Sequence, residues 1–162
     1  MRLFFATTNA NKVREVRPVL ANLPIELLTL QDVSPVEEPE ETGRTFWENA
    51  RLKALFYAAA SGETVIAEDS GLVIPALGGA PGVHSARFLG ANVPYETRFA
   101  EIFRRLVPFG ERRPNASFVT AICLARGDEI LFEAETAIDG VIASAPAGHN
   151  GSATTRSSII RR

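Results

Sequence analysis

The sequence predicts an α/β fold, a single elongated domain in which a mixed, twisted sheet is flanked by helices. Three observations carry that prediction. Short apolar runs alternate with segments of helical period along the chain. Clusters of Gly, Pro, Asn and Asp punctuate them, as in Gly78-Gly79-Ala80-Pro81-Gly82 and Arg126-Gly127-Asp128-Glu129. The 162 residues, 46% hydrophobic and 22% charged, suffice for one buried core, and no internal repeat or linker divides them.

The elements follow in order. Residues 3–6 form a short apolar strand, after which Asn9 is placed to cap a helix over 12–20 that stops before Pro24. Residues 25–30 read as a second strand, and 34–42 as a loop carrying Glu37, Glu38, Glu40 and Glu41. Thr45 with Glu48 three residues later has capping-box spacing. The helix it opens, 46–60, stacks Ala50, Ala54 and Ala58 on one face and ends at Gly62. A strand over 64–67 leads to the polar step Glu68-Asp69-Ser70-Gly71, and 72–77 is apolar again before the glycine-rich turn. Phe99, Ile102, Phe103 and Leu106 make one stripe of a helix over 97–106. Residues 116–125 and 130–137 form a hairpin, Asp139-Gly140 a turn, and 141–143 the start of another strand.

Composition narrows the function. A formal charge of −2 argues against a nucleic-acid groove or a polybasic membrane surface. No apolar run approaches the roughly 20 residues that span a bilayer, and the N-terminal apolar run is too short for a signal sequence. Cys123 is the only cysteine, so no internal disulfide forms; within an apolar run it reads as a buried, inert thiol. These features point to the cytoplasm. Two histidines, His84 and His149, with one cysteine speak against a zinc site. Ser85 lacks the Gly-x-Ser-x-Gly setting of a nucleophile.

Two separated segments carry complementary halves of a nucleotide site. In Ala6-Thr7-Thr8-Asn9-Ala10-Asn11-Lys12 a strand passes through small polar residues into a helix, whose N-terminal N–H groups and dipole attract anions. Lys12 adds a positive charge for phosphate. The plain alternative is a capped turn with a solvated lysine, since no glycine-rich phosphate loop is present. In Glu68-Asp69-Ser70-Gly71 adjacent carboxylates point to opposite sides at a strand end, and Gly71 permits a tight turn. Asp69 can hold magnesium or accept a proton from water, and Glu40 and Glu41 can complete a metal shell. Solvated acidic loops are the competing reading for both. Arg87, after the rigid glycine turn, suits a phosphate or a carboxylate.

Taken together, these segments resemble the inosine/xanthosine triphosphate pyrophosphatases, enzymes that clear deaminated purine nucleotides. The resemblance rests on Ala6-Thr7-Thr8-Asn9-Ala10-Asn11-Lys12-Val13-Arg14-Glu15, on Glu40-Glu41-Thr42-Gly43 with Thr45-Phe46 and Glu48-Asn49-Ala50, on Asp69-Ser70-Gly71-Leu72, and on Ala76-Leu77-Gly78-Gly79-Ala80-Pro81-Gly82-Val83-His84-Ser85-Ala86-Arg87-Phe88. It covers residues 1–151, with Thr8 where the family often has Gly and His84 where it often has Tyr. It implies cleavage of a nucleoside triphosphate between its α- and β-phosphates, giving the monophosphate and pyrophosphate with Mg2+ as cofactor. By matching position, Thr7, Thr8, Asn9, Ala10, Asn11 and Lys12 hold phosphates, and Ser70 touches substrate. Asp69 is metal ligand or proton acceptor, Glu41 the favoured second acidic ligand, and Glu40, Glu48 and Glu68 are weaker candidates. The family fold is usually a homodimer.

The resemblance stops at Gly151. The family continues with Phe-Gly-Tyr-Asp-Pro and later pieces that shape the base pocket, whereas residues 152–162 contain no aromatic side chain. One choice of codons for this tail, read from one base earlier, spells Phe-Gly-Tyr-Asp-Pro-Ile-Phe-Tyr-His-Pro-Pro. The expectation is a one-base frameshift near Gly151, natural or introduced in cloning or sequencing, so that 1–151 is an incomplete pyrophosphatase domain and 152–162 a tail foreign to it. Three readings follow: a pyrophosphatase for inosine-type triphosphates, a relative with another base preference, and a catalytically silent nucleotide-binding protein.

Overall fold

The computed structural model describes residues 1–90, 92–110 and 114–143 and the backbone of 160–161. His149 and residues 152–159 and 162 of the tail lie outside the described residues. Among the described residues, six strands form one mixed sheet in the order β2-β1-β3-β4-β5-β6. They are β1 (Arg2–Phe5), β2 (Glu26–Leu28), β3 (Thr64–Val73), β4 (Asn115–Arg126), β5 (Glu129–Ile142) and β6 (Ile160–Arg161). Strand β1 runs parallel to both neighbours, with Leu3 opposite Leu27 and Phe4 opposite Val65. Strands β5 and β6 are antiparallel, with Ile142 opposite Ile160. Among the described residues, three α-helices accompany the sheet: α1 (Ala10–Leu20), α2 (Phe46–Ser61) and α3 (Tyr95–Leu106). Among the described residues, no helix is long and apolar enough to cross a membrane.

The contacts divide the chain into two compact units, Met1–Asp69 with Thr120–Glu135, and Ser70–Val119 with Thr136–Arg162. In the first, α2 is built as its sequence dictates. Thr45 Oγ1 accepts the Glu48 N–H at 3.1 Å, and Glu48 Oε2 accepts the Thr45 N–H at 3.3 Å, which closes the capping box. Gly62, at φ +70°, ends the helix in the left-handed region. The buried stripe of α2 is Phe46, Asn49, Ala50, Lys53, Ala54, Tyr57 and Ala58, the 3–4 spacing of one helix face. Its alanines leave room for Tyr57 to meet Phe4 of β1 edge-on at 5.6 Å. Arg51 forks onto Glu133 through two hydrogen bonds of 2.9 and 3.0 Å. Cys123 is buried, and that burial pushes its thiol up to about 11, an inert group as expected.

In the second unit Ile74, Phe99, Ile102, Leu106, Ala116 and Ile142 form the core, so the predicted stripe of α3 is its buried face. Arg98 is buried there too. Its guanidinium donates to the carbonyls of Ser85, Ala86 and Gly90, and it lies over the Tyr95 ring at 5.0 Å.

The main differences from the sequence reading lie at two helix starts and two strand interiors. Helix α1 begins at Ala10 rather than residue 12, because the Asn9 cap acts directly on it. Helix α3 begins at Tyr95, straight after Pro94, rather than at 97. Glu68-Asp69-Ser70-Gly71 is not a strand end: β3 passes through it to Val73. That strand is hydrogen-bonded into the sheet between β1 and β4, with β1 reaching as far as Ile66, and pairing within the sheet outweighs the local Ser-Gly turn signal. Likewise Asp139-Gly140 is not a turn but the interior of β5. The Asp139 carboxylate accepts the Ser117 hydroxyl at 2.6 Å, which satisfies it without a bend.

Candidate functional site

The polar centre of the first unit is assembled by three segments: the turn into α1, the acidic loop before α2, and the middle of β3. At the turn, Asn9 caps α1 by accepting the Asn11 N–H at 3.0 Å, and Thr7 Oγ1 accepts the Asn9 N–H at 3.2 Å. Thr8 and Ala10 are exposed beside them, and Asn11 is half-buried. Two of the N–H donors expected for phosphate therefore already have side-chain acceptors within the turn. Lys12, in the first turn of α1, is ion-paired with Glu68 of β3.

Successive side chains of a strand point to opposite sides, and the two β3 carboxylates accordingly reach different helices. Glu68 meets Lys12 of α1, while Asp69 meets α2. The Asn49 amide donates from Nδ2 to Asp69 Oδ2 at 3.0 Å. Lys53, one helical turn later, holds its ammonium 3.8 Å from Asp69 Oδ1 and 2.7 Å from Glu41 Oε1. Glu41 and Asp69 thus share one cation. Burial pushes the Asp69 carboxyl above the usual carboxylate range; Lys53 and the Asn49 hydrogen bond pull it back, and Glu41 and Glu68 raise it further.

The remaining candidates are placed differently. Glu40 is exposed on the loop next to Glu41. Glu48 is occupied as a cap, accepting the N–H groups of Arg44 and Thr45. Ser70 follows Asp69 along β3 and is half-buried, and Arg87 closes a short 3-10 turn, Gly82–Arg87; both belong to the second unit. In that turn Ser85 Oγ donates to Gly82 O at 2.6 Å and accepts the Leu72 N–H at 2.9 Å, a structural hydroxyl rather than a nucleophile.

Sequence reasoning gave no role to Lys53 or Asn49. The available signal was their position: both interrupt the alanine stripe of α2 at i, i+4 spacing, where a polar side chain must be buried and therefore partnered.

Among the described residues, no three His, Cys, Asp or Glu side chains gather as a closed metal site. Magnesium does not require one. It takes one or two carboxylates and completes its shell with water and substrate phosphates. Glu41 and Asp69, two hard oxygen donors already gathered around a positive charge, fit that demand.

The sequence signature of the Ham1 family matches residues 3–153. The chain belongs to the Ham1 family. It is 41% identical over 150 residues to a dITP/XTP pyrophosphatase of Prochlorococcus marinus, covering 92% of this chain and 72% of that protein. It is 43% identical over 151 residues to a dITP/XTP pyrophosphatase of an Exiguobacterium species, covering 93% and 76%. Its fold matches a solved Ham1 protein structure from Coxiella burnetii with a TM-score of 0.87 at 32% identity, covering 99% of this chain and 80% of that one. Ham1 membership agrees with the resemblance read from the motifs, and the α/β fold with its mixed sheet is that of Ham1 proteins.

Proposed function

We propose that this Ham1 protein hydrolyses deaminated purine nucleoside triphosphates (ITP, dITP and XTP) to the monophosphate and pyrophosphate. The supporting relatives carry the name dITP/XTP pyrophosphatase. The single observation that carries the chemistry is the pair Glu41 and Asp69 drawn to one buried ammonium, that of Lys53. Such a cluster suits a substrate that brings four negative charges and a divalent cation.

Glu41 and Asp69 would hold magnesium, with exposed Glu40 beside them. When bound, the ion neutralises phosphate charge and polarises the phosphoryl oxygens. The Asp69 carboxylate also serves as the acceptor for a proton from water. As the water oxygen bonds to the α-phosphorus, the bond from that phosphorus to the bridging oxygen breaks, and pyrophosphate leaves with the bond's electrons. Lys12 exchanges its Glu68 partner for phosphate, and the half-buried ammonium gains in strength from its partly dry setting. Thr7, Thr8, Asn9, Ala10 and Asn11 line the anion approach at the start of α1; by motif position Ser70 is a substrate-contact candidate, and Arg87 suits a phosphate or a carboxylate. We also propose that the chain works as a homodimer in the cytoplasm.

The test is turnover of ITP, dITP, XTP, ATP and GTP by purified protein with Mg2+, with products separated by phosphorus NMR. Pyrophosphate release from the first three, abolished by chelation, is expected. Release of orthophosphate instead, or equal rates for all five, would sink the proposal.

A further inference from the structure

Asn49 is fully buried in the middle of a charged cluster, and both ends of its amide are in use. Oδ1 accepts the Gly43 N–H at 2.8 Å, two residues beyond Glu41. Nδ2 donates to Asp69 Oδ2 at 3.0 Å. One side chain therefore spans from the loop that carries Glu41 to the strand that carries Asp69. The loop closes on it tightly: a Cβ built on Gly43 would stand 2.5 Å from Asn49 Oδ1. Lys53, four residues on, spans the same two segments through the opposite carboxylate oxygen, Asp69 Oδ1, and through Glu41 Oε1.

The two braces differ in kind. Lys53 acts by charge, so a metal–triphosphate entering the cluster competes with it for the same oxygens. Asn49 is neutral and uses a backbone N–H on one side, so its hold on the loop does not depend on which cation the carboxylates face. We infer that Asn49 is a positioning residue for the proposed hydrolysis, fixing the separation of Glu41 and Asp69 both before and after substrate arrives. The inference rests on the reading of these two carboxylates as the reacting site.

The experiment uses the full chain with Asn49→Ala and Asn49→Asp, and two readouts. The first is hydrogen exchange of the Gly43 amide without nucleotide or metal. The Gly62 amide, bonded to Ala58 O at 3.0 Å at the far end of α2, serves as the internal reference. In Asn49→Ala, exchange at Gly43 should speed up about tenfold or more while Gly62 is unchanged. The second readout is steady-state hydrolysis of ITP with Mg2+. There kcat should fall about 10- to 100-fold with KM within about threefold, since misplacement by about 1 Å is paid in the chemical step. Asn49→Asp keeps the acceptor for Gly43 but replaces the neutral amide donor by a second carboxyl facing Asp69. It should retain Gly43 protection and still lose kcat. It also decides the matter if Asn49→Ala loosens Gly62 and Gly43 alike. Unchanged kcat in a variant with Gly62 intact, or unchanged Gly43 exchange in Asn49→Ala, overturns the inference. A parent chain that turns over no triphosphate defeats the functional reading instead, while the exchange readout still shows whether the brace exists.

Discussion

Gly43→Ala is the sharpest perturbation of the site, because it adds one methyl group where the backbone has no strain but the space is filled. The new Cβ would lie 2.5 Å from Asn49 Oδ1, 2.8 Å from Glu48 Cβ and 2.9 Å from Asn49 N. None of these atoms yields easily. Asn49 is held at its other end by Asp69, and the two helix atoms belong to the first turn that the Thr45–Glu48 capping box fixes. The loop must instead retreat by about 1 Å to reach ordinary contact, breaking the 2.8 Å hydrogen bond from the Gly43 N–H. Overpacking costs about 1–3 kcal/mol and the lost bond about 0.5–1.5 kcal/mol, less about 0.4–1 kcal/mol from a stiffer unfolded chain. The net loss spans about 0.5–4 kcal/mol and centres near 2, which corresponds to a Tm lower by about 4–8 °C for a chain of this size. Because Glu41 moves with the loop, kcat on ITP should drop by up to about 100-fold. Gly78→Ala is the comparison. Gly78 sits at φ +66° with nothing within 4 Å of a built Cβ, so it loses about 1–2 kcal/mol to backbone strain alone and keeps its turnover. Differential scanning calorimetry and initial rates on both variants decide. If Gly43→Ala melts within a degree of the parent, or both variants lose activity in proportion to stability, the steric argument is wrong.

Three further outcomes are expected. Asp69→Asn should lower turnover by about 10²- to 10⁴-fold. Its stability should move the other way. The folded carboxyl is raised above its ordinary value, mainly by burial, so the stability tied to Asp69 is fully present below the unfolded pKa and is lost as pH rises through the folded one. The variant should therefore gain Tm relative to the parent at pH 7 and lose that gain at acid pH; a lower Tm at pH 7 would contradict the burial argument. Lys12→Ala should raise KM for ITP about 10- to 100-fold, from the loss of a contact worth about 1.5–3 kcal/mol. It also strands the Glu68 carboxylate, so adding Glu68→Gln should recover Tm without recovering KM. Arg98→Ala removes the donors to Ser85 O, Ala86 O and Gly90 O, and urea unfolding should show a loss of about 2–4 kcal/mol. Arg98→Lys should recover only part of it, because an ammonium lacks the planar fork; full recovery would make charge, not geometry, the cause.

What the sequence disclosed about this fold, and what it hid, follows from the range of the forces involved. Helix α2 was legible from end to end because its start and stop are local: Thr45, Glu48 and Gly62 satisfy backbone groups within a few residues of themselves. The cap at Asn9 was legible for the same reason, although the start of α1 fell two residues early, since Ala10 and Asn11 add nothing to an apolar period. The misread strand interiors have the opposite cause. Ser70-Gly71 and Asp139-Gly140 carry strong turn signals, and only pairing with strands distant in sequence overrules them. The same distinction runs through the site. Asp69, Glu41 and Lys12 stand in recognisable motifs, but their partners are set by packing: Glu68 closes on Lys12 across 56 residues, and Asn49 on Asp69 across 20. Lys53 was the costliest omission, yet its position carried a physical clue. A lysine on the face of Ala50, Ala54 and Ala58 buries its stem with them, and here the head stays covered as well instead of reaching water. An interior ammonium demands carboxylates around it. Read in that direction, from the buried lysine outward, the acidic residues of the 34–42 loop stop being an unremarkable solvated stretch and become the place to look for its partner, which is Glu41.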